Sequence, residues 1–214
     1  MKMKIYAISI LLLLIASLSS ASVSKVDVLS LPDISDWEKQ EFSGVTSYQL
    51  VNVDNRQALK AVSKQSASGL VREIEVDLNK TPYINWSWKI ESILDVADET
   101  QKSGDDYPVR VYVVISDGFF FWQMRALNYV WASEQDKGSR WTNAFTERAT
   151  MLAVESGDAR VGEWVEVKRN VRDDIKNILG IDASRINAVA IMTDTDNSKQ
   201  SVSAYYGDIF FTAE

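Results

Sequence analysis

The chain has 214 residues, of which 46% are hydrophobic, and its 30 acidic against 23 basic side chains give a formal charge of −7. That composition is globular rather than disordered or low-complexity, and the length is that of one domain. Neither His nor Cys occurs, which excludes Ser/His/Asp and Cys/His catalysis, His-ligated zinc or copper, disulfides and iron–sulfur ligation.

The first segment reads as a leader rather than as part of a fold. Lys2 and Lys4 precede an apolar run from Ile5 to Leu18, and Ser19-Ser20-Ala21 then sets small residues at the −3 and −1 positions of a cleavage site. This predicts a signal peptide over 1–21, cleavage after Ala21 and a periplasmic or secreted protein. The run is shorter than the roughly 20 residues that span a bilayer, so no stable membrane anchor is expected after cleavage. Residues 22–214 are expected to form a single β-sandwich domain. Losing Lys2 and Lys4 with no acid makes the remainder two units more negative than the whole chain. With no basic cluster it suits cations or neutral ligands and not nucleic acid, which needs a positive patch for counterion release.

Short β-rich runs follow one another with polar or Gly-containing breaks. The strands are expected at 46–53, 57–63, 70–78, 83–90, 109–116, 127–133, 150–155, 164–171, 186–193 and 203–211, about ten in all. One short helix is expected from Val171 to Leu179, stopped by Gly180, with Asp173 and Asp174 near its positive end. Many strands with little helix to cross over predict an all-β fold, an antiparallel β-sandwich or jelly roll. An outer-membrane barrel fits less well, because Val189-Ala190-Ile191-Met192 is apolar on both faces. In 109–115 the odd positions are apolar, which leaves Arg110 and Tyr112 on the opposite face. Trp86 and Trp88 share a face with Ile84 and Ile90 and belong to the core. Leu127, Tyr129 and Trp131 likewise face inward, so Asn128 faces a cleft. The cluster Phe119-Phe120-Phe121-Trp122, with Trp141, is either core or ligand-stacking.

Candidate polar residues gather at Gly104-Asp105-Asp106, at Asp194-Thr195-Asp196-Asn197 and at Asp208 within the last strand. Asp194, Asp196 and Asn197 can turn several oxygens toward one calcium ion. They do not match a helix-loop-helix calcium loop, since Lys199 stands where the turn Gly belongs and Tyr205 where the bidentate Glu belongs. The plainer reading is a hairpin whose Asp and Asn satisfy their own backbone. Asp208 needs a partner in mid-strand, and Arg110 is the expected one. Paired carboxylates from these groups also fit a glycosidase if they stand about 5 to 10 Å apart.

Seven segments in order resemble an exported bacterial family known as domain of unknown function number 3047. They include Ile84-Asn85-Trp86-Ser87-Trp88, Gly104-Asp105-Asp106-Tyr107, Ala126-Leu127-Asn128-Tyr129-Val130-Trp131 and Ile191-Met192-Thr193-Asp194-Thr195-Asp196-Asn197. The resemblance implies a galactose-binding-like jelly roll and brings no activity. The leading expectation is a non-catalytic binding module for a glycan or other polyhydroxylated ligand, contacting Asp105, Asp106, Arg110, Asn128, Asp194, Asp196, Asn197 and Asp208. The alternatives are a carbohydrate-active hydrolase using paired Asp carboxylates and an envelope protein-interaction domain.

Overall fold

The structure, a computed structural model, describes residues 25–116 and 124–214. The expected leader at 1–21 and the Phe119-Phe120-Phe121-Trp122 cluster lie outside the described residues.

Among the described residues, thirteen strands pack as two facing sheets. The six-stranded sheet contains β1 (Lys25–Leu29), β3 (Ser47–Val53), β4 (Arg56–Lys64), β6 (Tyr83–Ile90), β11 (Val165–Asn170) and β13 (Ser201–Thr212). Its order is β11-β6-β13-β4-β3, with β1 also paired to β13. The seven-stranded sheet runs β2 (Glu38–Ser43), β5 (Ala67–Asp77), β12 (Arg185–Asp194), β7 (Arg110–Ser116), β8 (Met124–Ala132), β10 (Ala149–Ser156), β9 (Arg140–Thr142). Pairing is antiparallel throughout except between β8 and β10, which run parallel because the chain makes an excursion through β9 between them. All ten expected strands are present.

The three strands beyond those ten lacked a readable pattern for different reasons. β2 is exposed along its whole length and pairs only with β5, so it carries no buried face to create alternation. β9 has three residues and sits on the opposite edge. β1 follows directly on the expected leader.

The core lies between the sheets. Ile84, Trp86, Trp88 and Ile90 of β6 face Val111, Val113 and Ile115 of β7 and Leu127, Tyr129 and Trp131 of β8 within one buried cluster. Trp86 meets Trp88 edge-on with centroids 5.3 Å apart and lies 5.2 Å from Tyr129. Both tryptophans are therefore core residues, as their alternation predicts. Each large side chain buried this way contributes roughly 1.5–3 kcal/mol.

The helix begins as expected, with α1 (Val171–Asp174) capped by the Asn170 side chain, which accepts from the Asp173 N–H at 3.2 Å. It then widens into a π-helical turn over Ile175–Leu179, and Gly180 ends it at φ 72.

The seven-stranded sheet is also partly covered on its outer side. Tyr107, Val130, Ala132, Met151 and Ala153 form a second small cluster with Trp141 packed on it. This covering raises walls around the outward-facing residues of β7, β8 and β12.

Candidate functional site

The register of three neighbouring strands assembles the site. Arg110 of β7 stands opposite Met192 of β12 and Val130 of β8, and Tyr112 stands opposite Asn128. The same parity that sends Val109, Val111 and Val113 into the core sends Arg110, Asn128 and Asp194 to the outer face. They line a cleft of about 430 Å³ together with Asp105, Asp196 and Asn197. At its rim stand Phe42, 68% exposed, and Phe145, 56% exposed.

Arg110 is only 4% exposed. Its Nε donates to Asp194 Oδ1 at 2.8 Å, and its Nη2 donates both to Asp194 Oδ2 and to the Asp105 carbonyl at 2.9 Å. This two-pronged grip fixes both side chains, and the guanidinium also lies 4.3 Å from the Tyr107 ring centroid. The Asp105 carboxylate stands 3.8 Å from Arg110 Nη1 and accepts from Asn143 Nδ2 through both oxygens. Asn143 Oδ1 in turn accepts from the N–H groups of Phe145 and Thr146, which holds the Phe145 loop in place. Asp106 secures the opposite turn by accepting from the Asn197 and Ser198 N–H groups and from Asn197 Nδ2.

These carboxyls lie in a poorly solvated place. Burial pushes the Asp194 carboxyl upward, against the pull of Arg110, and burial likewise raises Asp105. Burial alone would lower Arg110, but the Asp194 carboxylate overrides it and holds the guanidinium charged.

Asn128 is an exception to this satisfied network, as is the Ser198 hydroxyl, which also lacks a partner. Asn128 is 1% exposed, and its Nδ2 faces Met151 Sδ at 3.3 Å, while Oδ1 has no hydrogen-bond partner. A thioether is a weak acceptor, so the amide is correctly turned and its oxygen is the orphaned atom. Leaving such an acceptor unmet costs about 1–3 kcal/mol.

One expectation is corrected. Arg110 lines the cleft, but its partners are Asp194 and Asp105, not Asp208. Asp208 lies on the other sheet, exposed, accepting from the Leu31 N–H at 2.9 Å beside a separate hollow of about 660 Å³. A β-bulge explains this. β13 spends Gly207 and Asp208 where β6 spends only Ser87 between the Tyr206–Trp88 and Ile209–Trp86 pairs, which turns Asp208 outward.

Asp106, Asp194 and Asp196 each bring a carboxylate oxygen within 4.8 Å of the others. Calcium takes six to eight oxygens. Here Arg110 already serves Asp194, backbone N–H groups serve Asp106, and Asn197 presents its amide nitrogen to Asp105 and Asp106 as a donor. The set is built as a hydrogen-bonded network around one guanidinium.

The sequence reading did not single out Phe42, Asn143 or Phe145. Asn143 and Phe145 fall within the polar segment before β10, but nothing in an isolated Asn or Phe marks it as a wall of a cleft. Phe42 lies on an edge strand with no pattern of its own.

A two-sheet β-sandwich with a polar, ring-rimmed cleft on the outer face of one sheet is the class that fold and site define. The chain belongs to the family described as Protein of unknown function (DUF3047), whose model matches residues 35–210. No curated protein matches it in sequence. Among solved structures it is similar to the family 30 carbohydrate-binding module of a cellulosomal cellulase of Clostridium thermocellum, at 12% identity and TM-score 0.46 over 84% of this chain and 92% of that one. It is also similar to the Emp47p carbohydrate recognition domain, at 12% identity and TM-score 0.44 over 91% and 99%. A family 29 carbohydrate-binding module from Piromyces equi gives 14% identity and TM-score 0.40 over 90% and 92%. At this level of similarity they carry no argument about what this chain binds.

Proposed function

We propose that the chain is an exported binding module that takes a glycan or other polyhydroxylated ligand in the cleft beside Arg110. The observation that carries this reading is the orphaned Oδ1 of Asn128, a residue that lines the cleft. An unmet buried acceptor is costly, and a ligand hydroxyl is a group that would satisfy it. Two further features support the reading. The Arg110, Asp194 and Asp105 side chains are pre-set by one another, so little side-chain entropy is lost when a ligand arrives. The exposed rings of Phe42 and Phe145 offer flat apolar surfaces at the rim, where the apolar face of a sugar can rest. The basic, apolar and small-residue run over residues 1–21 supports export.

The test is calorimetric titration of residues 22–214 against a glycan panel, paired with the variant Asn128→Leu. Leucine keeps the volume and removes the unmet acceptor. Saturable binding that Asn128→Leu abolishes, with an unchanged or higher Tm, is the expected result. A large fall in Tm would make Asn128 a structural residue and overturn the reading.

A further inference from the structure

The cleft carries more negative charge than its own cations balance. Asp105, Asp194 and Asp196 line it, and Asp106 adjoins them within the carboxylate cluster. Among the described residues that line the cleft, Arg110 is the one cation, and both of its ends are already spent on Asp194 and Asp105. Lys102 adds a second positive charge at the rim, 5.3 Å from the Phe145 ring centroid. Four carboxyls thus face two cations. Asp196 has the least support of the four: it is half-buried, and its contact is with the neighbouring Asn197 Nδ2 at 3.3 Å.

Asn128 makes an independent demand of the same kind, because its unmet oxygen calls for a donor. A donor that also carries positive charge answers both. Resting on the binding-module reading above, we infer that the cleft selects glycans bearing a free, protonated amine. The ammonium group sits at the Asp196 end, and the sugar hydroxyls reach toward Asn128. The aromatic rim agrees with this, since Phe145 already holds one ammonium against a ring face and an exposed ring attracts cations. A uronic-acid glycan would meet the same field as a repulsion.

Three β-1,4-linked oligosaccharides of equal length that differ only at the second carbon provide the probe: glucosamine with its amine free, N-acetylglucosamine and glucose. They are titrated calorimetrically at pH 6 into residues 22–214 and into Asp196→Asn, with Tm measured for both proteins. The expected result is that the free amine binds the unaltered protein at least about tenfold more tightly than the glucose oligomer, as a charge-assisted bond replaces a neutral one. That preference shrinks as salt rises. In Asp196→Asn it falls to within about twofold, with Tm unchanged. Equal binding of the three oligosaccharides would overturn the inference and leave the module reading intact. So would a preference that survives in Asp196→Asn. Failure of these three probes while another glycan binds would also overturn the inference alone, and no saturable binding to any glycan would overturn both.

Discussion

Removing Arg110 would leave Asp194 buried without its counter-charge and the Asp105 carbonyl without its donor. A buried ion pair contributes little net stability when intact, because desolvation offsets its attraction, yet breaking it strands a charge at a cost of about 3–5 kcal/mol. Arg110→Ala is therefore expected to lower Tm by roughly 10 °C, given about 2–4 °C per kcal/mol in a chain of this size. Arg110→Lys is expected to recover only part of this, since an ammonium cannot make the two-pronged contact. Thermal unfolding of both variants checks the order. Asn128→Leu should move Tm the other way, so two side chains lining one cleft are predicted to have opposite effects on stability. Their difference lies in whether the fold or a ligand completes their bonding. Residue types alone made Asp105, Asp106, Arg110, Asn128, Asp194, Asp196 and Asn197 legible as candidates. Their partners were not, because Arg110 and Asp194 are 84 positions apart and only the β7–β12 register joins them. Asp208 misled for the same reason: its type suggested the cluster, and its strand belongs to the other sheet.

At the scale of single elements, alternation made the central strands readable, since each has one face in the core and one outside it. The edges were not readable. β2 has no buried face, and β9 is too short to show a period. The bulge in β13 was equally hidden, although its sequence Tyr206-Gly207-Asp208-Ile209 contains the residue that permits it. A Cβ built on Gly207 would lie 2.2 Å from Ser87 Oγ, closer than any real contact. Gly207→Ala is expected to destabilise by about 1–3 kcal/mol through overpacking. Because the obstacle is a hydroxyl rather than backbone, Ser87→Ala in the same chain should restore most of the loss, leaving a Cβ neighbour at an ordinary 3.5 Å. Denaturant unfolding of the two single variants and the double variant measures this coupling. Additive losses would mean that the bulge is held by something other than this close approach. Asp208 turned outward by the bulge accepts from the Leu31 N–H and so ties the segment after β1 to β13.

For the whole molecule, the pH dependence of stability follows from where its carboxyls lie. Burial raises three of them, Glu99, Asp105 and Asp194. Glu99 is the most instructive, because the N–H groups of Ser133, Glu134 and Gln135 converge on it and still do not offset its burial. A carboxyl raised in the folded state binds a proton there that the unfolded chain has released. Between the ordinary carboxylate range and the raised value the folded state holds more protons, so stability falls as pH rises through that window. Asp33, Asp54, Asp77 and Asp98 are shifted downward and act with the opposite sign, their contribution being lost as pH falls below the ordinary range. They are exposed or half-buried and screened by solvent, so the buried set dominates above pH 5. Self-repulsion in a chain of formal charge −7 adds to the same trend. Tm measured at low salt is therefore expected to be higher at pH 5 than at pH 8 by roughly 5 °C or more. Glu99→Gln should flatten the slope while lowering Tm at pH 5, because the amide keeps one acceptor oxygen and turns a nitrogen toward backbone donors. A Tm that climbs steadily from pH 5 to pH 8 would mean that the exposed, lowered carboxyls control stability and that the buried ones are compensated. The acidic cleft would then have no unmet charge for a ligand to balance.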